Sequence, residues 1–314
     1  MPRISISSVS HHNVAMAKFD IDPELRGICV PAAPMNKAAI KAAEVFMRVA
    51  PKGYDKKKIR VDYFDVGNIK CHMLTPLELV DEVSPVVFDI HGGGFVFPAS
   101  MGYYYHEQLY ACQGKCRLIG AEYSRAPKHP YPTAINECVE VFLYMLEHQN
   151  ELKIDASRLV IAGDSAGASL AMDCYFALRK KGIVAQSLML IYPVVDHRMT
   201  TKSMQEMVDA PVWNSGNTKA MWDLYLQGQE YRCPLERIEE FACENVYIEN
   251  CQFDPLRDEA EDLYKALQGR IPNLIFNPTS RTFHGYDAAS KAKVTLEAEA
   301  KRVQFLRDCF LAAK

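Results

Sequence analysis

The serine at position 165 lies in the pentapeptide GDSAG at 163–167, which follows a short apolar run at 159–161. A sharp turn between a strand and a helix strains its central residue, and bulk on either side of that residue would clash. The G-x-S-x-G spacing is therefore typical of a turn that presents a nucleophilic serine. An ordinary glycine-rich turn, whose serine caps the following helix, would have the same spacing.

Three consecutive glycines, at 92–94, follow His91 and a buried-strand pattern at 86–90. Because glycine has no side chain, the N–H groups of this loop are open and can donate hydrogen bonds to a developing oxyanion. The N–H group of Ala166, directly after the serine, is the natural partner donor. A phosphate-binding loop is the alternative, but the sequence has neither G-x-x-x-x-G-K-S/T nor G-x-G-x-x-G.

A serine hydroxyl is a weak nucleophile at neutral pH and needs a base, and imidazole titrates in the right range. A carboxylate must then orient the imidazole. His284 and Asp254 each follow a predicted strand and come after Ser165 in the chain. We expect Asp164 to have a structural hydrogen-bonding role. Asp254 is preferred as the acid because it comes first after its strand, and the rival carboxylates are Asp196, Asp258 and Asp262.

Strand and helix patterns alternate along the chain and predict a mostly parallel sheet covered on both faces. A hairpin is predicted at 58–74, with its turn at Gly67-Asn68. Further strands are predicted at 86–90, 118–123, 157–161, 188–195, 246–249 and 274–276, and helices at 133–147, after Ser165 and at the C-terminal end.

Two segments depart from this alternation. Residues 1–55 carry no chemical motif and contain predicted helices at 23–29 and 36–49; in the second, Ile40, Ala43, Val45 and Phe46 should share one face. This segment is interpreted as a cap on the core at 56–314, with a simple helical extension as the alternative. Residues 197–235 look like an insertion, whose Met and Trp side chains either line an apolar pocket or only pack.

Composition excludes several classes of protein. The 314 residues contain 36 Lys and Arg against 39 Asp and Glu, so nothing indicates binding to nucleic acid or an anionic membrane surface. No signal-like or bilayer-spanning apolar run is present, which favours a cytoplasmic location. The ten cysteines are scattered and are expected to be reduced, and no Cys or His pairs at zinc spacing indicate a metal site.

The sequences HGGGF at 91–95, GDSAG at 163–167, DPLRDE at 254–259 and FHGY at 283–286 resemble the hormone-sensitive lipase family of α/β-hydrolases, also called bacterial family IV esterases. YPVVD at 192–196 and the segment 123–138 are similar to that family too. The resemblance runs from about residue 86 to 286. It departs from the family at 97–99, where a further glycine is usual, at 124–128 and at Ala168.

This resemblance implies an α/β-hydrolase fold with a helical cap, formed partly by the N-terminal segment and partly by the insertion. It implies Ser165 as nucleophile, His284 as base and Asp254 as the orienting acid. The donors of the oxyanion hole would be Gly93, Gly94 and Ala166, and the residues predicted to contact substrate are Phe95 and Trp213.

The activity implied is that of a serine carboxylesterase, which cleaves short- to medium-chain esters through an acyl-enzyme and uses no metal or organic cofactor. Arylacetamide-type amide hydrolysis is an alternative, because the same triad serves both bonds. A non-catalytic ligand-binding member, like the plant gibberellin receptors, is a second; those lack the triad histidine, whereas His284 is present here. Dimerisation through an edge strand is common in the family, so a homodimer is an open alternative.

Overall fold

A computed structural model describes residues 18–49 and 53–312 of the chain. Residues 1–17 lie outside these ranges. They include most of the N-terminal stretch in which no signal-like apolar run was found. Among the described helices, none combines the length and the apolar character needed to cross a bilayer.

Eight strands of the described chain form one sheet in the order β1-β2-β4-β3-β5-β6-β7-β8. β1 pairs antiparallel with β2, as does β2 with β4, and all other neighbours are parallel. This confirms the predicted mostly parallel sheet. The strands are β1 Ile59–Val66, β2 Ile69–Pro76, β3 Ser84–Ile90, β4 Arg117–Glu122, β5 Ile154–Asp164, β6 Ser187–Ile191, β7 Asn245–Phe253 and β8 Asn273–Phe283.

The described α-helices are α1 Lys37–Val49, α2 Met101–Gly114, α3 Thr133–Glu147, α4 Gln149–Leu152, α5 Ala166–Lys180, α6 Lys202–Glu206, α7 Ser215–Leu226, α8 Arg257–Leu267 and α9 Lys293–Ala312. Short 3₁₀ helices occupy Pro23–Ile28, Leu77–Leu79, Pro234–Glu236, Ile238–Glu240 and Tyr286–Ala288. The predicted helix at 133–147 is thus confirmed, and the insertion contributes α6 and α7.

The sheet is buried on both faces. Successive strand residues point to opposite faces, so Val87 and Phe88 of β3 belong to different apolar clusters, as do Val160 and Ile161 of β5. Helices α3, α5 and α8 pack in the first cluster, and α2 and α9 pack in the second. A strand whose residues are almost all apolar therefore indicates, in the sequence, that both faces of the sheet are buried.

Three local predictions are corrected. β8 is much longer than 274–276, because Pro278 is tolerated in a strand at the edge of the sheet. β6 ends at Ile191 instead of 195, since Tyr192 turns the chain out of the sheet with a φ of 34°. In α1, Ile40 is buried but Val45 and Phe46 are exposed, because five and six residues turn a helix by about 140° and 240°.

Candidate active site

Ser165 occupies the turn between β5 and α5 in a strained backbone conformation, with φ 55° and ψ −120°. A Cβ atom at Gly167 would lie 1.9 Å from the carbonyl oxygen of Ile90, so only glycine allows the helix to start this close to β3. The N–H of Ser165 donates to the carbonyl of Ile191 at 2.8 Å. The Ser165 side chain makes no capping hydrogen bond to α5. The geometry is thus that of a nucleophile turn rather than a helix cap.

His284 and Asp254 reach this serine from the ends of the neighbouring strands β8 and β7. His284 Nε2 lies 2.8 Å from Ser165 Oγ, and His284 Nδ1 lies 2.7 Å from Asp254 Oδ2. Asp254 is fully buried, and its Oδ1 accepts the N–H of Leu256 at 2.9 Å. In the tautomer that this network requires, Ser165 donates to Nε2 and Nδ1–H donates to the carboxylate. The structure brings together all three residues that the sequence selected.

The pKa of His284 reflects two opposing effects. Burial lowers the pKa, but the charge of Asp254 and its hydrogen bond outweigh burial and raise the pKa above its ordinary value. Stabilisation of the imidazolium is the property that a base needs while it holds the serine proton.

The N–H groups of Gly93, Gly94 and Ala166 lie beside the serine at the carboxyl end of the sheet. No acceptor among the described residues takes a hydrogen bond from any of the three. Gly93 and Gly94 both have positive φ, 108° and 58°, which only glycine adopts readily and which shapes the loop around the serine. Three open donors beside a nucleophile can hold a negatively charged oxygen.

Two side chains hold the glycine loop in place. Asp164 Oδ1 accepts the N–H of Gly92 at 2.8 Å, which is the structural hydrogen-bonding role expected for this carboxylate. Burial raises the pKa of Asp164 to about 6. The His91 ring stacks on the Tyr123 ring with centroids 4.3 Å apart, and Tyr123 donates to the His91 carbonyl at 2.8 Å. The loop is therefore fixed before any substrate arrives.

The rival carboxylates lie elsewhere. Both oxygens of Asp196 accept from Arg198, at 2.8 and 2.7 Å. Asp258 accepts from Arg257 Nε and from the N–H of Ser203, both at 2.7 Å. Asp262 is exposed on α8. None of the three contacts His284.

A cavity of about 300 Å³ opens on Ser165 and His284. Trp213 lines it, and its ring centroid lies 5.9 Å from that of His284. Phe95 is not among the lining residues: it is buried and stacks on Tyr225 with centroids 3.8 Å apart. The geometry therefore gives Trp213 access to a substrate, and gives Phe95 a packing contact with α7.

The N-terminal segment and the insertion meet at the mouth of this cavity. The N–H of Val212 donates to the carbonyl of Val30 at 2.8 Å, and Asn217 Nδ2 donates to the carbonyl of Ala33 at 2.7 Å. Ala33, Val212 and Asn217 all line the cavity. Both segments that the sequence separated from the core thus contribute to its wall.

One group of side chains in the described part of the chain has the donor types of a metal site. The donor atoms of Asp196, His197 and Cys233 lie within 4.8 Å of one another. Arg198 already holds both oxygens of Asp196, and burial raises the pKa of the Cys233 thiol to about 12, so both groups are poor ligands. This cluster is apart from the triad.

Sequence reasoning did not select Tyr192, Asp287 or Arg302, which also line the cavity. The Tyr192 hydroxyl donates to Asp287 Oδ1 at 3.0 Å, and Arg302 donates to Asp287 Oδ2 at 2.8 Å. Tyr192 directly follows β6 and Asp287 follows His284 by three positions, so position past a strand end could have indicated both. Arg302 lies within α9 and gave no local signal.

Comparison with known proteins agrees with this geometry. A family model described as alpha/beta hydrolase fold matches residues 87–288. An "Esterase LipI" of Mycobacterium tuberculosis is 29% identical over 300 residues, which are 87% of this chain and 90% of that protein. An "Acetyl esterase" of Salmonella enteritidis is 28% identical over 209 residues, and the match covers 64% of each protein.

Solved structures show the same fold. The esterase LipW from Mycobacterium marinum superposes with a TM-score of 0.83 at 24% identity, over 93% of this chain and 96% of that one. A structure described as a bacterial heroin esterase gives a TM-score of 0.79 at 26% identity, over 93% of this chain and 98% of that one.

Proposed function

Because this chain belongs to the alpha/beta hydrolase fold family, we propose that it is a serine carboxylesterase that works through an acyl-enzyme. The observation that carries the proposal is the continuous hydrogen-bonded series Ser165–His284–Asp254 beside three open N–H donors. Two proteins that this chain resembles are named esterases, which supports an ester rather than an amide as the bond that is cleaved. No specific observation favours an amide bond or binding without chemistry.

In the first half of the reaction, Ser165 Oγ attacks the ester carbonyl carbon while its proton passes to His284 Nε2. The carbonyl oxygen becomes an anion and accepts hydrogen bonds from the N–H groups of Gly93, Gly94 and Ala166. The bond to the alcohol oxygen then breaks, and His284 returns the proton to that oxygen. An acyl group on Ser165 and a free alcohol result.

In the second half, water takes the place of the alcohol. His284 removes a proton from the water, and the hydroxyl oxygen attacks the acyl carbon. The bond to Ser165 Oγ breaks, the serine regains its proton from His284, and a carboxylic acid leaves. Asp254 stabilises the imidazolium in both halves.

The size of the cavity supports substrates with short or medium acyl chains. Its volume of about 300 Å³ is at the lower end of ligand pockets, and Trp213 and Val212 are among the residues that line it. Hydrolysis rates of p-nitrophenyl esters should therefore fall as the acyl chain lengthens beyond the medium range. Faster hydrolysis of long-chain esters would contradict this choice of substrate.

Covalent labelling tests the chemistry itself. A fluorophosphonate probe should label the protein at Ser165, and Ser165→Ala should abolish both labelling and ester hydrolysis. Ser169→Ala is the matched control, because Ser169 is buried one turn along α5 and its hydroxyl lies 3.5 Å from that of Tyr231. Labelling that persists in Ser165→Ala would refute the proposed nucleophile.

The proposal includes a cytoplasmic location and a homodimer. All ten cysteines are free thiols, nine of them buried, which suits a reducing compartment. β8 lies at one edge of the sheet, where a second copy could add its own strand. Cell fractionation tests the location, and light scattering of the purified protein tests the dimer; a monomer at all concentrations would rule out the dimer.

A further inference from the structure

Tyr192 lies in a strained turn that touches the backbone of the nucleophile. Its φ of 34° is in the left-handed region, which a residue other than glycine adopts only where its surroundings hold it there. The N–H of Tyr192 donates to the carbonyl of Glu249 in β7 at 2.9 Å. On either side of it, the carbonyl of Ile191 accepts the N–H of Ser165 at 2.8 Å, and the N–H of Val194 donates to the carbonyl of Ser165 at 3.1 Å. The turn is therefore fixed to the sheet and to the serine at once.

The side chain of Tyr192 reaches from this turn to the catalytic base. Its ring centroid lies 4.8 Å from that of His284, and the two ring planes are inclined at 62°. Its hydroxyl donates to Asp287 Oδ1 at 3.0 Å, with Oδ2 3.2 Å away. The tyrosine is 5% exposed. Its ring is thus held at the backbone end and at the hydroxyl end while its middle packs on the imidazole.

The acceptor of that hydroxyl is itself held firmly. Asp287 is buried, and Arg302 Nη1 donates to its Oδ2 at 2.8 Å. Burial raises the pKa of Asp287, but His106 and Arg302 outweigh burial and hold the pKa below its ordinary value. Asp287 is therefore an ionised acceptor at neutral pH, and a hydrogen bond to a charged group is stronger than one between neutral groups.

His284 needs a support that does not change during the reaction. An imidazole turns about its Cβ–Cγ bond with only broad preferences, so hydrogen bonds and packing must set its angle. In the free enzyme, Ser165 and Asp254 bond to its two nitrogens. In the acyl-enzyme the serine oxygen has lost its proton to the alcohol, so Nε2 has no serine donor and the bond to Asp254 alone remains. Nε2 must nevertheless point at the water whose proton it takes.

Two aromatic rings adjoin the imidazole among the described residues. One is Trp213 of the insertion, whose centroid is 5.9 Å away and whose indole Nε1 donates to Thr218 Oγ1 at 3.0 Å. The other is Tyr192, which is closer and is bonded to the loop that carries His284 itself, since Asp287 follows the histidine by three positions. Movement of that loop therefore moves the ring and the base together.

We propose that Tyr192 is a positioning residue that holds the imidazole of His284 at its catalytic angle, with the hydroxyl bond to Asp287 as its anchor. The inference rests on the proposed esterase function and adds a residue to its machinery. Tyr192 also lines the cavity, so contact of its hydroxyl with substrate is the rival role. The single proton of that hydroxyl is already donated to Asp287.

Two substitutions at this position test the proposal with p-nitrophenyl butyrate as substrate. Tyr192→Phe keeps the ring and removes the anchor, and it should lower kcat by about tenfold without raising KM, because a small misplacement of the base slows chemistry and leaves binding intact. Tyr192→Leu removes the ring as well and should lower kcat further, to about a hundredth of the parent value. A kcat for the leucine variant above that of the phenylalanine variant would overturn the role of the ring.

Tyr247→Phe is the matched control. Tyr247 is fully buried, and its hydroxyl donates at 2.8 Å to Glu249, the other carboxylate that Arg302 contacts. Its ring packs on Phe305, with centroids 5.5 Å apart. The control therefore loses the same kind of bond to the same ionic network without a contact to the base. Its kcat should stay within about twofold of the parent, at a temperature where circular dichroism shows every variant to be folded.

Proton NMR gives a signature that folding alone does not move. The proton on His284 Nδ1, bonded to Asp254, should resonate far downfield in the parent and in Tyr247→Phe. In Tyr192→Phe the same signal should broaden, because a ring that turns away from the carboxylate exposes this proton to exchange with water. A signal as sharp as that of the parent would overturn the proposal.

The kinetic outcomes are distinct. A kcat for Tyr192→Phe within about twofold of the parent, or an equal loss in Tyr247→Phe, would overturn the inference, and so would a higher KM at unchanged kcat, which would make Tyr192 a substrate contact. In each of these cases hydrolysis that depends on Ser165 leaves the esterase in place. A parent protein that neither hydrolyses esters nor reacts with fluorophosphonate would overturn the proposed function and this inference with it.

Discussion

Replacement of Arg302 should strongly lower the free energy of unfolding of this protein. Arg302→Met keeps the aliphatic stem but removes the guanidinium that Glu249 and Asp287 share. Both carboxylates are at least 97% buried, Glu249 being 0% and Asp287 3% exposed, so water cannot replace the lost partner. Breaking a buried ion pair on one side costs about 3–5 kcal/mol of unfolding free energy, because a buried charge is left uncompensated.

The same structure predicts how this cost depends on pH. In the parent, Asp287 has a lowered pKa and contributes stability above its unfolded pKa that is lost as the pH falls. Without Arg302 we expect the pKa of buried Asp287 to rise, and ionising this carboxylate in the folded state then lowers the unfolding free energy further as the pH increases. The difference in unfolding free energy between parent and variant should therefore be larger at pH 8 than at pH 5.

Urea unfolding followed by circular dichroism measures the effect. With an m value of roughly 3 kcal/mol/M, a loss of about 3–5 kcal/mol lowers the midpoint by about 1–2 M. Arg302→Lys should fall between parent and Met, because one ammonium cannot serve two carboxylates as a planar guanidinium does. Arg307→Met is the control, since Arg307 is exposed on the same helix and donates to the carbonyl of Gln113.

A midpoint for Arg302→Met within about 0.3 M of the Arg307→Met midpoint would refute the reasoning, because roughly 3 kcal/mol/M converts that interval to less than about 1 kcal/mol. The buried carboxylates would then be held by other groups.

Three further predictions concern the triad and its turn. Asp254→Asn should lower kcat by about four orders of magnitude at unchanged circular dichroism, because the amide selects the wrong tautomer of His284; a loss below about tenfold would exclude the assigned role. The acid limb of kcat/KM against pH should have its midpoint above about 6.5, because protonated His284 cannot accept the serine proton and its pKa is raised; a midpoint below that value would contradict the effect of Asp254. Gly167→Ala should prevent stable folding, since its Cβ would lie 1.9 Å from the oxygen of Ile90, whereas Gly27→Ala meets nothing within 4 Å and should unfold at the parent temperature. Equal thermal unfolding of the two variants would show that the turn has more room than the structure gives it.

The triad could be predicted from the sequence because each of its three residues follows the end of a strand. Ser165, Asp254 and His284 come after β5, β7 and β8, and parallel strands place those ends along one edge of the sheet. Local sequence therefore encodes position in three dimensions for residues of this kind. The hydrogen bonds in the structure then distinguish Asp254 from the rival carboxylates as the triad acid. The spacing of residues in the sequence could not make this distinction.

Other features depend on contacts between distant parts of the chain, and local pattern did not predict them. β8 extends through Pro278 only because no strand of the sheet pairs on its outer side. Phe95 stacks on Tyr225 of the insertion, a partner 130 positions away that the HGGGF motif does not reveal. The cavity lining brings together His106 of α2, Asp287 of the turn after β8 and Arg302 of α9, so this group of side chains forms only once the chain has folded.

The contact of Arg302 in α9 with Glu249 of β7 also bears on how the chain folds during synthesis. Glu249 and Asp287 precede Arg302 by 53 and 15 residues, and until Arg302 emerges their burial lacks its counter-charge. Because Tyr192 and His284 pack beside Asp287, the catalytic loop cannot settle before then. We therefore expect a nascent chain that stops short of α9 to form the serine turn without a fixed His284, so that hydrolytic activity should appear only after α9 has been made.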